Sequence, residues 1–262
     1  LLSYQHGFHA GNRADILKHA VLQAILSGLK KSRQKIFYVE THSGRGLYDL
    51  TGKQAKKTGE AEKGVLSFLN GTYPKPLKPW MEIVTKAGPK AYPGSPALAA
   101  KCLGPDDRMV LFEKHPQEYD ALHNAMKHDE RIQIKRADGY GGALKLAPRS
   151  GEQMVVLVDP SYETMRDMDA LAEWAPRALR RWPNAILVIW LPLFRDEREL
   201  EFGAYLSELT EGAIAGARWP TDPMDETALE GTAMVAYRTD ESTGQKMAAI
   251  ASSLQSFWAS KG

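Results

Sequence analysis

Apolar positions along this chain fall into short unbroken runs separated by longer stretches with helical spacing. Met154-Val155-Val156-Leu157-Val158 is the clearest run, and it stops abruptly at Asp159-Pro160. An unbroken run of that length describes a strand buried on both faces, as in a parallel sheet flanked by helices. Ile36–Glu40, Met109–Glu113, Arg131–Lys135 and Ala185–Trp190 read as further strands, the last stopped by Pro192. A late strand over Thr232–Tyr237 is expected beside a neighbour around Ala217 to Trp219. Leu17, Ala20, Val21, Ala24, Ile25 and Leu29 share one helical face behind Asn12, an N-cap residue type. Helices are also expected over Asp167 to Arg181, over Asp196 to Leu209, and from Ser95 as N-cap with Pro96 at the first helical position. Strands alternating with helices and closing on an antiparallel tail make an α/β chain with a mostly parallel sheet.

The alternation is interrupted between the first two strands, where far more chain intervenes than one crossover helix requires. Residues 51–93 carry short helical patches (Ala61, Val65, Phe68, Leu69; then Trp80, Ile83, Val84) around the loop Gly71-Thr72-Tyr73-Pro74-Lys75-Pro76. This stretch holds eight Lys against three Glu, whereas the whole chain is only +2, so the remainder is net acidic. The expected organisation is one Rossmann-like domain over 1–50 and 94–262, with 51–93 as a basic helical insertion. Phosphate backbones are the partner such a face suits, though a solubilising lysine-rich surface accounts for it equally well. Hydrophobic content of 43% and charged content of 25% are ordinary for a soluble domain, so composition singles out no special class. No apolar run approaches the roughly 20 residues of a membrane span, and Leu1 to Ala10 lacks the plan of a signal peptide. Cys102 is the single cysteine, which excludes an internal disulfide and multi-cysteine zinc sites; the cytoplasm is expected.

Four successive strands end in an acid at one edge: Glu40, Glu113, Asp138 and Asp159. Ligands of open α/β sheets bind at the strands' carboxyl ends. Acceptors gathered there suit ribose hydroxyls, an adenine amino group and a sulfonium cation. The turn Thr41-His42-Ser43-Gly44-Arg45-Gly46 lets a ligand approach the backbone, but the third glycine of a dinucleotide fingerprint is replaced by Asp49. A nicotinamide oxidoreductase is therefore disfavoured. Pro160 holds Asp159 extended, so a carboxylate, a backbone carbonyl and the Tyr162 ring form a compact set for an exocyclic amine on a planar base. Taken by themselves these residues also describe an ordinary Asp-Pro turn. Lys18 and His19, near the start of the amphipathic helix, offer an amine and an imidazole to an anion such as a cofactor carboxylate; a solvated helix face is the plainer account of Lys18. His6, His9 and His19 fit no zinc spacing, and no metal is expected.

Ser3-Tyr4-Gln5-His6-Gly7-Phe8-His9-Ala10-Gly11-Asn12-Arg13-Ala14-Asp15-Ile16-Leu17-Lys18-His19 closely resembles the amino-terminal signature of the RlmJ family of bacterial 23S rRNA adenine-N6 methyltransferases. The turn at 41–46, Tyr92-Pro93-Gly94-Ser95-Pro96, Glu113-Lys114-His115-Pro116, Ala137-Asp138-Gly139 and Asp159-Pro160-Ser161-Tyr162-Glu163 match in the same order. The resemblance implies a class I methyltransferase fold with a seven-stranded sheet and S-adenosylmethionine as cofactor. It implies that His19, His42 and Ser95 hold the cofactor, with Lys18 beside them, that Glu113 takes the ribose hydroxyls, and that Asp138 and Gly139 take the adenine. Asp159, also at the cofactor, is then the catalytic acceptor with Pro160 and Tyr162, and Tyr4 and Tyr162 touch the substrate. The family loop usually reads Asp-Pro-Pro-Tyr, and here Ser161 stands at the third place. Cytosine C5 chemistry needs a cysteine nucleophile, and Cys102 lies in no such loop. The expected partner is 23S rRNA, naked or partly assembled, and the expected acting unit is a monomer. Two alternatives stay open: adenine methylation of DNA or a role in using imported DNA, and a non-catalytic nucleic-acid-binding module.

Overall fold

A computed structural model describes residues 5–222, 224 and 228–260. The first helix, α1 (Arg13–Lys31), is capped by Asn12, whose side chain accepts the Asp15 N–H at 2.9 Å, and it carries Lys30 and Lys31 in its last turn. Both choices complement the exposed peptide groups at its ends. It leads into β1 (Lys35–Glu40) and the short β2 (Leu47–Asp49). The interrupting stretch follows as α2 (Lys53–Thr58), α3 (Glu60–Lys63), α4 (Val65–Leu69), α5 (Lys78–Ala87) and β3 (Ala91–Pro93), which pairs antiparallel with β2. Then come α6 (Ser95–Cys102), β4 (Arg108–Phe112), α7 (Pro116–Met126), β5 (Ile132–Lys135), α8 (Gly139–Ala143) and β6 (Glu152–Val158). The chain finishes with α9 (Met165–Arg181), β7 (Ile186–Phe194), α10 (Leu200–Glu208), β8 (Gly212–Arg218), β9 (Leu229–Tyr237) and α11 (Glu241–Ala259).

The main sheet has seven strands in the order β5-β4-β1-β6-β7-β9-β8. The first five run parallel, and β9 is antiparallel to both β7 and β8. This is the seven-stranded, mostly parallel sheet that the resemblance implies. Because side chains alternate along a strand, neighbours go to opposite faces. Ile36, Tyr38, Val155 and Leu157 pack with α1, α6 and α11, whereas Phe37, Val39, Val156 and Val158 pack with α9 and α10. The residues of 51–93 do not form a core of their own: Val65, Phe68, Leu77 and Trp80 lie in one continuous cluster with α1 and α11. Gly64 sits so close to the amino-terminal segment that a Cβ there would lie 2.0 Å from the Gly11 carbonyl. No helix among the described residues is long and apolar enough to cross a membrane.

Three sequence expectations need correction. The strand expected to stop before Pro192 runs on to Phe194. Its pairing with β6 ends at Ile189 while that with β9 continues, so Pro192 sits where only one neighbour needs a ladder bond. The helix expected from Asp196 begins at Leu200. Ser95 is the first helical residue behind Gly94 rather than the cap, and its hydroxyl is used elsewhere.

Candidate active site

The carboxyl ends of β1, β4, β5 and β6 open on a crevice of about 1090 Å³ that runs on past α1 to the start of β9. Small-molecule pockets run roughly 300–1,000 Å³, so there is room for a donor and an acceptor together. Asp159, Pro160, Ser161 and Tyr162 line it, as do His19, His42, Ser95, Glu113, Asp138 and Gly139. The structure therefore brings the expected site residues to one place; Tyr4 lies outside the described residues.

The four strand-end acids do not act alike. Glu113, Asp138 and Asp159 line the crevice, but Glu40 is fully buried behind it. Its carboxyl accepts from Tyr38 Oη at 2.9 Å and from Ser95 Oγ. Burial pushes Glu40 up to about 8 against the two hydrogen bonds, with Asp159 adding to the rise. The expected row of four acceptors thus corrects to three lining the crevice and one beneath, steering Ser95. Glu113 receives the Gly44 N–H at 2.8 Å and the His115 N–H at 2.7 Å, and burial raises it. Asp138 caps α8 through the Gly141 N–H at 2.7 Å.

Asp159 has a cationic partner that no local pattern predicts. Lys18 Nζ lies 2.6 Å from Asp159 Oδ2 and 3.0 Å from Asp15 Oδ1, and 5.3 Å from the Trp190 ring centre. The anions that Lys18 meets are thus two carboxylates of the chain itself. Asp15 also takes the Gly11 N–H at 2.8 Å and His6 at 2.9 Å. Burial acts to raise Asp15, and the charges of His6 and Lys18 outweigh it, holding the carboxyl well below the usual range. His19 bonds Tyr92 Oη at 2.6 Å, and burial pulls it down to about 3, so it is a neutral imidazole. Burial also lowers His42, which sits edge-on to Tyr140 at 5.0 Å. His6, His9 and His19 go to separate partners, Asp15, Glu60 and Tyr92, and no cluster placed to hold a metal occurs among the described residues.

Tyr162 is buried, with φ at 50°, and donates its hydroxyl to the Trp190 carbonyl at 2.6 Å. Its ring is one wall of the crevice held from behind.

Two residues that the sequence did not single out also belong here. Ser43 Oγ and Tyr140 Oη are buried at the crevice with no hydrogen-bond partner among the described residues. Buried hydroxyls left unpaired are unusual and invite a ligand. The backbone is equally close-fitting, since a Cβ on Gly139 would come 1.9 Å from the Thr41 carbonyl. Acceptors, neutral imidazoles and unpaired hydroxyls around a bare backbone fit the ribose, purine and amino-acid parts of a nucleoside cofactor. His19 on α1 and His42 behind β1 are both among the residues expected from the sequence; Ser43 and Tyr140 carry no comparable signal of their own.

A family model described as ribosomal RNA large subunit methyltransferase D, RlmJ, matches residues 33–261. The chain is 36% identical over 199 residues to ribosomal RNA large subunit methyltransferase J of Haemophilus influenzae, covering 74% of this chain and 71% of that one. It is 33% identical over 198 residues to the Escherichia coli protein of the same name, with 74% and 71% covered. A crystal structure of a Legionella pneumophila protein superposes with a TM-score of 0.85 over 95% of this chain and 94% of that one, at 24% identity.

Proposed function

The chain belongs to the RlmJ family of ribosomal RNA large-subunit methyltransferases, and from that premise we propose that it methylates the exocyclic N6 of an adenine in 23S rRNA. It is an S-adenosylmethionine-dependent methyltransferase of large-subunit rRNA. The observation that carries the finer reading is the Asp159-Pro160 strand end: a carboxylate and a rigid backbone carbonyl at one crevice, the carboxylate tied to Lys18 through a single oxygen.

The chemistry follows from those acceptors. The N6 lone pair is delocalised into the purine ring and is a poor nucleophile. Hydrogen bonds from the amino group to the Asp159 carboxylate and the Pro160 carbonyl would localise that pair and draw the nitrogen toward tetrahedral geometry. Lys18 fixes Asp159 by Oδ2, which leaves Oδ1 for the amine. The cofactor supplies a methyl group on a sulfonium, which departs as a neutral thioether while the nitrogen gains carbon and sheds a proton. Asp159 would be the first acceptor of that proton. His19, His42, Ser43, Ser95, Glu113, Asp138 and Tyr140 would hold the donor, with Glu113 toward the ribose and Asp138 and Gly139 toward the purine. Positioning supplies most of the acceleration. The target base must leave its stack at a few kcal/mol, and stacking on the Tyr162 wall would return about 1–3 kcal/mol. The lysine-rich surface of 51–93 would contact RNA phosphates, the substrate being naked or partly assembled 23S rRNA and the acting unit one chain.

The test is methyl transfer from labelled donor to a 23S rRNA transcript and, in parallel, to duplex DNA, with nucleosides identified by mass spectrometry. N6-methyladenosine from the RNA alone is expected, and Asp159→Asn should abolish it while donor affinity changes little. Methyl groups on cytosine, on ribose or on DNA would overturn the reading.

A further inference from the structure

The crevice continues beyond the reacting end, and this extension is built differently. Strand β7 overshoots β6 by five residues, since pairing ends at Ile189 and the strand ends at Phe194. Trp190, Pro192 and Phe194 lie on one face of that overhang and all line the crevice, which then reaches Trp219 across β9. Trp219 stands edge-on against Trp258 at 5.2 Å, so its ring is fixed. Each outlying aromatic carries an arginine: Arg198 lies 4.1 Å from the Phe194 ring centre and Arg13 6.0 Å from that of Trp219.

The charges there are uneven. Glu60 is engaged by His9 and Asn12, and Glu199 and Glu230 by Arg218, while Asp222 on the crevice wall takes the Met224 N–H at 3.0 Å. Arg13, half-buried at the crevice mouth, donates to the Lys63 carbonyl at 3.4 Å besides lying over Trp219, and neither Arg13 nor Lys63 has a carboxylate partner among the described residues. Arg198 is paired with Asp196 at 2.9 Å, which leaves Arg13 and Lys63 as the cations without a carboxylate partner among the described residues of this stretch. Aromatic faces beside such cations are the surface that single-stranded nucleic acid uses, bases stacking and phosphates meeting the cations. At about 3.3 Å per strand residue, Trp190 and Phe194 stand on the order of 13 Å apart, several times the ~3.4 Å between stacked nucleotides.

Resting on the reading above, we propose that Phe194 and Trp219, with Arg13 and Lys63, form a track that holds the unpaired nucleotides flanking the target adenosine. The strand would leave the reacting end past Trp190 and run over the β7 overhang to the mouth beside α1. This makes the preferred substrate a looped or single-stranded segment rather than a duplex.

The test uses Phe194→Leu, Trp219→Leu and Arg13→Gln in the full chain. Binding of AMP, of a nine-residue oligoadenylate and of S-adenosylhomocysteine is measured by calorimetry and fluorescence anisotropy. Each leucine variant should weaken the nine-residue RNA by about 5- to 30-fold while AMP and S-adenosylhomocysteine bind as before. Arg13→Gln, at the first residue of α1 and with no ion pair to break among the described residues, should lower the salt slope by about one. Unchanged binding of the nine-residue RNA overturns the track, and so does an equal loss for AMP. An overhang that takes a protein partner instead would also show as unchanged RNA binding. Because these readouts need no methyl transfer, they stand even if the methyl group lands elsewhere than N6. Conversely, normal N6 transfer with unchanged RNA binding in all three variants removes the track alone.

Discussion

Glu40 offers the most direct physical test of how the site is built. It is fully buried beneath Ser95, and burial raises it from an ordinary 4.5 to about 8. Between those values the folded chain keeps a proton that the unfolded chain has released, so folding takes up a proton and stability falls as pH rises. The difference of about 3.5 pH units, at about 1.4 kcal/mol each, amounts to about 5 kcal/mol. That contribution is fully present below about pH 4.5, is lost progressively up to about pH 8, and is flat above. Glu40→Gln keeps an acceptor for Ser95 or Tyr38 but cannot ionise. Urea unfolding of both proteins from about pH 5 to about pH 9 isolates the group, because every other titration is common to the pair and cancels. The wild type should lose about 4 kcal/mol relative to the variant across that range, the remainder of the effect lying below about pH 5. Parallel curves would refute the buried, proton-retaining carboxyl and with it the account of how Ser95 is oriented.

Lys18→Met should destabilise the fold by about 3–5 kcal/mol in the same unfolding assay, because it strands the oxygens of Asp15 and Asp159 without their buried cation; a loss under about 1 kcal/mol would show the pair to be replaceable. Gly139→Ala should remove measurable S-adenosylhomocysteine binding by calorimetry, since the new methyl would collide with the Thr41 carbonyl at 1.9 Å and push aside the wall proposed for the purine. Normal binding would mean that the wall yields. Ser161→Pro, which gives the loop its second proline, should change kcat by less than about threefold; a gain of about tenfold or more, on the scale by which misplaced groups slow catalysis, would show the present loop to be loose.

The strands were legible because a doubly covered strand must be apolar at every position, and Met154–Val158 is buried throughout. Helix α1 was legible through its period and its Asn12 cap for the same kind of local reason. The β7 overhang was not. Whether Pro192 ends a strand depends on which side has a neighbour, and that is a property of the sheet rather than of the segment. Asp159 was found from its strand end, yet its ion pair with Lys18 joins residues 141 positions apart and left no local trace. Glu40 and Asp159 look alike in sequence, an acid after an apolar run, and only packing separates the buried proton holder from the acceptor at the crevice. Ser43 and Tyr140 were passed over because a hydroxyl signals nothing until its burial and lack of a partner are seen.

The serine at 161 raises the question of what keeps the acceptor loop in place without a second proline. Three anchors do so, each on a different part of the loop. Lys18 holds the Asp159 carboxylate at the start, reaching in from α1 across the sheet edge. Tyr162 is tied at its far end, its hydroxyl on the Trp190 carbonyl of β7. Thr164 closes the segment with a capping box to Asp167 that starts α9, the Thr164 N–H meeting Asp167 Oδ2 at 2.9 Å. Proline restricts a loop by removing backbone freedom before folding, whereas these contacts restrict it afterwards through packed neighbours. Pro160 still sets the exit from β6, so the carbonyl proposed to meet the amine is bracketed by fixed residues on either side. A loop held at Asp159, Tyr162 and Thr164 has little motion left for Ser161 to contribute, and that side chain is left facing the crevice.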